Sequence, residues 1–167
     1  MKTTNSEKTV AFTALIKAHE GLIFKITTIY THNEHDQKDL YQDIVYQLWK
    51  SFDSFRGEAK VSTWMYRVGM NTAINTLKKV KRQPHKIGID QVVLQQTEYY
   101  DFEFEARLKL LYAQIKTLNV LEKGLMLLLL EGKKYEEIAE ITGLTATNVG
   151  TRISRIKQKI KTQITKK

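Results

Sequence analysis

The chain has 167 residues, with 27 lysines and arginines against 18 acids and a net charge of +9. That length accommodates one ordinary domain or two small ones, and the positive excess suits a polyanionic partner, because phosphate neutralisation and counterion release supply most non-specific affinity for nucleic acid. There is no cysteine, which excludes disulfides and thiolate metal centres, and the longest apolar run, Leu125 to Leu130, is far too short to span a bilayer.

The opening MKTTNSEKTVAF has neither a long apolar core nor a small-residue cleavage site, so no signal peptide and no membrane insertion are expected, and a cytoplasmic location is. One proline, few glycines and apolar residues at helical spacing almost throughout predict an all-α fold. Thr9 to Thr31 reads as the first long helix, with Leu15, Ala18, Leu22, Ile26 and Ile29 along one face. Gly21 weakens it by about 1 kcal/mol relative to alanine.

A second helix opens with Asn33 or Asp36 as cap and runs to about Phe52. Tyr41, Val45, Leu48 and Phe52, widened by Leu40, Ile44 and Trp49, are expected to face the core. A narrow polar strip remains, with Asp36, Asp39, Gln42, Asp43, Tyr46 and Lys50. Asp53 to Lys60 is a tight loop. The third helix, about Val61 to Arg82, separates into a core stripe of Tyr66, Met70, Ala73, Leu77 and Val80 and a polar stripe of Arg67, Asn71, Asn75, Lys78 and Arg82. Trp64 falls at the head of the polar stripe, away from the core side. No acid occurs between Ala59 and Ile89, while Lys60, Arg67, Lys78, Lys79, Lys81, Arg82 and Lys86 are basic. Such a run is either a solvated face or an electrostatic footprint for nucleic acid.

Gln83 and Pro84 end the helix. From Asp90 to Glu105 the sign reverses, with Asp90, Glu98, Asp101, Glu103 and Glu105 and no lysine or arginine. Residues 83–102 therefore read as an acidic linker between two small helical domains, 1–82 and 103–167. It could fold back on the basic domains, thread a positively charged channel in a partner, or stay solvated.

In the second domain a helix from Phe104 to Leu118 is followed by one from Val120 to Leu130, which Asn119 caps with Glu122 three residues on. Lys133 to Ile160 then reads as a helix-turn-helix. Tyr135 to Thr142 carries Ile138 and Ile141 on one side, with the small Ala139 where two helices approach. Gly143 ends this helix in the left-handed conformation, Leu144 plugs the corner, and Thr145 caps the next. Val149, Ile153, Ile156, Ile160 and Ile164 form the packing stripe of that next helix. Its opposite face offers Thr147, Asn148, Thr151, Arg152 and Arg155 to base edges and phosphates. The plainer alternative is an α-hairpin with a solvated basic face.

Two basic modules, an acidic linker and a C-terminal helix-turn-helix together resemble the extracytoplasmic-function sigma factors, bacterial subunits of transcription initiation. DLYQDIVYQLWKSFDSFRG resembles the family's polymerase-binding segment, STWMYRVGMNTAINTLKK its promoter-melting segment, and YEEIAEITGLTATNVGTRISRIKQKIK its second promoter-reading domain. The resemblance implies that Asp39, Gln42 and Asp43 dock on RNA polymerase core. It further implies that Arg67 and Asn71 hold the non-template strand of the minus-ten element and that the loop from Phe55 to Thr63 captures a flipped base. The polar stripe of the third helix adds Trp64, Asn75, Lys78 and Arg82 to the residues expected to bind DNA. In the second domain Thr151, Arg152 and Arg155 are implied to read the minus-thirty-five element, and Thr147 and Asn148 on the same face are expected to bind DNA beside them. Promoter DNA, polymerase core and an anti-sigma factor, membrane-anchored in many members, are the implied partners.

Three positions depart from the family pattern. Gly150 stands where lysine or arginine is usual, Asn119 where proline is common, and Gly124 where a basic residue is common.

A conventional helix-turn-helix regulator acting without polymerase would explain the second domain but leave the acidic strip and the third-helix stripe without a purpose. An enzyme is not expected: the closest histidines, His32 and His35 in HNEHD, fall in a turn with neither nucleophile nor cofactor cradle nearby. No metal, cofactor or catalytic residue is assigned.

Overall fold

A computed structural model describes residues 4–81 and 102–166. Arg82 and residues 83–101 of the expected linker lie outside these. Among the described residues there are eight α-helices, one 3-10 turn and no strand, the all-α fold expected. The chain divides into two compact units, Met1–Ile89 and Asp90–Lys167.

The first unit holds α1 (Asn5–Ala18), α2 (Glu20–Tyr30), α3 (Glu34–Ser51), a 3-10 turn (Phe52–Ser54) and α4 (Val61–Lys81). The single helix expected from Thr9 to Thr31 is thus two. His19 breaks it with φ −125° and ψ 18°, and its Nδ1 lies 3.0 Å from the Leu15 carbonyl oxygen. The break frees α2 to run between α3 and α4. Ile26 to Tyr30 are consecutively buried there, whereas α1 buries only Phe12 and leaves Ala18 exposed. Two threonines in that buried run need partners. Thr27 and Thr28 donate to the Phe24 carbonyl at 2.7 and 2.9 Å, and Gln37 of α3 donates to Thr28 at 2.9 Å. Burial pushes the Tyr30 phenol well above its usual range.

Asn33 is the cap of α3, its side chain accepting from the Asp36 N–H at 2.8 Å. The buried line of α3 is Leu40, Ile44 and Leu48. Leu48 is buried as expected, but Tyr41, Val45 and Phe52 flank the line half-buried with Trp49, so the arc is rotated toward Leu40 and Ile44, two residues expected only to widen it.

Helix α4 meets its neighbours through backbone. A Cβ built on the buried Gly69 would stand 2.7 Å from Ile26 Cδ1 and 3.6 Å from Ile44 Cγ2. Tyr66, Met70 and Ala73 are buried as expected, while Val80 is exposed. Trp64 requires a correction. Far from heading an exposed polar stripe, it is 8% exposed, stacked on Phe55 with ring centroids 4.8 Å apart and tilted against Phe52 at 6.5 Å. The loop before α4 folds back over its first turn, so a position that helical phase assigns to solvent is covered by the loop's own aromatics.

The second unit contains α5 (Phe102–Lys116), α6 (Val120–Leu130), α7 (Tyr135–Thr142) and α8 (Ala146–Thr165). Asn119 and Glu122 form the expected reciprocal cap of α6, at 2.9 and 3.3 Å. Leu125 to Leu128 are buried and Leu130 reaches solvent. Lys116 is held below the usual lysine range by burial and then by the charge of Lys123. On α8 the buried line is Val149, Ile153, Ile156 and Ile160, with Ile164 exposed.

The Gly69 contact sets a stability test. Gly69→Ala gains about 1 kcal/mol of helix propensity, and pushing Ile26 Cδ1 aside should cancel that gain or exceed it by up to about 1 kcal/mol. Ile26→Val removes the methyl that the new Cβ meets, so in that background the same substitution should cost about 1 kcal/mol less. Urea denaturation of the four proteins measures this; an identical cost in both backgrounds would show that the two side chains do not meet.

Candidate functional site

Three exposed surfaces carry the residues singled out above. On α3, Leu40, Ile44 and Leu48 turn inward, and the same helical phase turns Asp36, Asp39, Gln42 and Asp43 outward, all exposed. HNEHD, expected in a turn, mostly opens this helix instead: Glu34, His35 and Asp36 lie in its first turn behind the Asn33 cap. His35 Nδ1 lies 3.2 Å from Asp39 Oδ2. Glu34 is drawn below its usual range by a hydrogen bond from Lys38 and by that ammonium charge. The acids at the head of α3 also complement its N-terminal dipole.

On α4, Arg67, Asn71, Asn75 and Lys78 are exposed and lie along one side of the helix. They follow from the packing described above, because Met70 and Ala73 are pressed inward between them. Arg82, the last member of the stripe, lies outside the described residues. At the head of the stripe, Arg56, Gly57 and Glu58 of the loop are exposed, next to the stack of half-buried Phe55 on buried Trp64. Gly57 takes φ 72°, a conformation that L side chains rarely adopt.

The third surface is the outer face of α8. Gly143 closes α7 with φ 78°, its N–H bonding the Ala139 carbonyl, and Thr145 caps α8 by accepting from the Asn148 N–H at 3.1 Å. These two local devices fix the angle between the helices. With Val149, Ile153 and Ile156 buried, Thr147, Asn148, Thr151, Arg152 and Arg155 are all exposed. Arg152 Nε donates to Asn148 Oδ1 at 2.8 Å, so the guanidinium is held along the helix. Thr151 turns its hydroxyl back to the Thr147 carbonyl at 3.0 Å. Lys159 pairs with Glu122 at 3.6 Å, tying α8 to the capped start of α6.

Tyr135 belongs to this surface and was not picked out from sequence. It is partly exposed at the first position of α7, and its ring lies over the bare backbone of Gly150, where a Cβ would stand 3.2 Å from Cε2. The aromatic thus walls one edge of the outer face of α8 at the position lacking a side chain. The glycine was the available signal, since an unfilled position inside a helix invites the question of what packs against it.

Among the described residues no helix is long and apolar enough to cross a membrane.

Comparison with known proteins finds sigma-70 region 2 matching residues 15–83 and sigma-70 region 4 matching residues 108–160. The RNA polymerase sigma factor YlaC of Bacillus subtilis is 31% identical over 141 residues, covering 81% of this chain and 82% of that protein. The ECF RNA polymerase sigma-E factor of Haemophilus influenzae is 28% identical over 169 residues, covering 92% and 87%. In fold, the chain is similar to the sigma factor RpoE solved in complex with the anti-sigma factor NepR from Bartonella quintana. The TM-score is 0.76 at 18% identity, and the match covers 93% of this chain and 97% of that one.

The Gly150 contact is testable. Gly150→Ala removes a helix-interior glycine, a gain of about 1 kcal/mol in an open helix. With the Tyr135 ring in place part of that gain should be lost, and Tyr135→Ala should restore it, leaving a coupling of about 0.5 kcal/mol or more. Thermal denaturation of the four variants measures the coupling, and a value near zero would mean that the ring yields freely.

Proposed function

From the premise that this chain belongs to the extracytoplasmic-function RNA polymerase sigma factors, we propose how its residues divide the work of starting transcription. As a sigma factor it binds RNA polymerase core and directs it to promoters, a regulatory task and not an enzymatic one. The observation that carries this is the pairing of region 2 and region 4 matches in one chain. A regulator acting without polymerase would need only the second.

In this reading residues 1–82 bind core and open the minus-ten element, 83–102 link, and 103–167 read the minus-thirty-five element. Asp39, Gln42 and Asp43 dock on core. Their exposure on the side of α3 opposite its buried line supports this, because charge complementarity steers and registers such an encounter. Arg67, Asn71, Asn75, Lys78 and Arg82 hold the separated strand, and the loop from Phe55 to Thr63 takes a flipped base. Extruding a base costs a few kcal/mol; amide and cationic side chains on the single strand offset it. Trp64, being buried, supports that loop from beneath.

The exposed face of α8 lies in the major groove, with Thr147, Asn148 and Thr151 near its N-terminal end and Arg152 and Arg155 placed for bases or phosphates. An anti-sigma factor is the proposed regulator, as NepR is the partner in the RpoE complex.

Two experiments test this reading. Asp39→Arg with Asp43→Arg should abolish association with polymerase core without unfolding the chain, since both side chains are exposed; co-purification at the wild-type level would remove the docking assignment. Arg67→Ala and Asn71→Ala should impair strand opening, read by permanganate footprinting, far more than binding of closed duplex promoter. Equal losses at both stages would reduce the stripe to a phosphate-binding face.

A further inference from the structure

Helix α1 has one buried side chain, and most of its surface, Val10 included, faces solvent. Its contacts toward the 3-10 turn are concentrated at one place. Phe12 sets its ring edge-on against Trp49 at 5.1 Å and against Phe52 at 5.3 Å. One turn earlier, the Lys8 ammonium lies 4.3 Å from the centroid of the Trp49 ring and 2.6 Å from Asp53 Oδ2. The Lys8 side chain is only 19% exposed, so its stem lies along apolar surface while its charge is shared between a ring and a carboxylate.

Phe52 and Asp53 are two of the three residues of the 3-10 turn that delivers the chain into the loop before α4. Contact continues from there. Phe52 meets Trp64, and Trp64 stacks on Phe55. A ladder of rings therefore runs from α1 to both ends of the loop, Phe55 where it begins and Trp64 just past its end. Between them Arg56, Gly57 and Glu58 are exposed.

We infer that α1 is a brace for this loop, with Lys8 and Phe12 as positioning residues for the capture of a single-stranded base. The inference rests on the reading that residues 55–63 take that base. A loop that must meet an extruded base within a fraction of an ångström needs its ends fixed by packed neighbours, and here those neighbours are anchored by α1. The exposed middle of the loop is left to the DNA.

The test uses the full chain with RNA polymerase core on a promoter carrying 2-aminopurine in its minus-ten element. Lys8→Met, Phe12→Leu and Phe12→Ala should each lower the opened fraction by about fivefold, of the order expected from losing one partly desolvated cation–π or ring contact. Core affinity and closed-duplex binding should stay at wild-type values. Lys8→Asp should lose opening similarly, and Asp53→Lys in the same chain should recover most of it, a rescue that mere loss of helix stability would not give.

Opening at the wild-type level in Lys8→Met and Phe12→Leu overturns the brace. So does a loss of core affinity as large as the loss of opening, or failure of the reversed pair to recover. Arg56→Ala with Lys60→Ala separates this inference from the one beneath it. If that loop variant opens promoters normally, base capture by the loop is wrong. If it blocks opening while the Lys8 and Phe12 variants open normally, only the brace is wrong.

Discussion

The first unit depends on the contact of α4 with α2 and α3 at Gly69. With Ile26 Cδ1 2.7 Å from where a Cβ would stand, a side chain here would have to push the end of Ile26 aside. A helix held that closely cannot rotate about its axis without driving a side chain into Ile26 or Ile44. Its rotational phase is therefore fixed, and with it the exposure of Arg67, Asn71, Asn75 and Lys78. The exposed stripe proposed to meet DNA is a consequence of a packing constraint on the opposite side of the same helix.

The second unit reaches the same end by different means. No backbone contact of that kind is required at the turn; Gly143 in the left-handed region and the Thr145 cap set the direction in which α8 leaves α7. The isoleucine line then fixes its rotation. Gly150 adds a second glycine with another use, admitting the Tyr135 ring where a side chain would otherwise project. Where the resemblance implies a cation, an aromatic edge from the preceding helix stands instead, so the border of the face proposed to read DNA is aromatic on one side and cationic, through Arg152 and Arg155, on the other.

Much of this was legible from sequence because it is local. Caps depend on chemistry within four residues: Asn119 with Glu122, Gly143 and Thr145 all stand where sequence placed them, and Asn33 is one of the two caps it offered for α3. The α8 stripe was legible because one face of a regular helix has a period, and it fails only at Ile164, close to the helix end. What escaped was decided by segments distant in sequence or outside any period. His19 breaks a helix that periodicity carried straight through. Trp64 is buried because a loop returns over it, and helical phase contains no information about loops. The partnership of Tyr135 with Gly150 joins residues on two helices, neither of them in a core stripe. The identities of the outward-facing residues on α3, α4 and α8 were legible; their roles rest on the family and on the experiments above.

The charge on each surface suits the partner proposed for it. The exposed acids of α3 begin at its N-terminus, where the helix dipole favours them, and continue along the face proposed for a protein partner. The exposed stripe of α4 and the outer face of α8 carry cations and amides without an acid among the named positions, which suits a phosphate backbone. Lys8 is the exception that clarifies the pattern. It is a cation turned inward, neutralised by Asp53 and covered by Trp49, and so contributes little to the field that attracts DNA. A lysine spent this way, on a helix with little else to hold it, makes sense as a fastening between α1 and the turn before α4. The net charge alone could not distinguish that use from another phosphate contact.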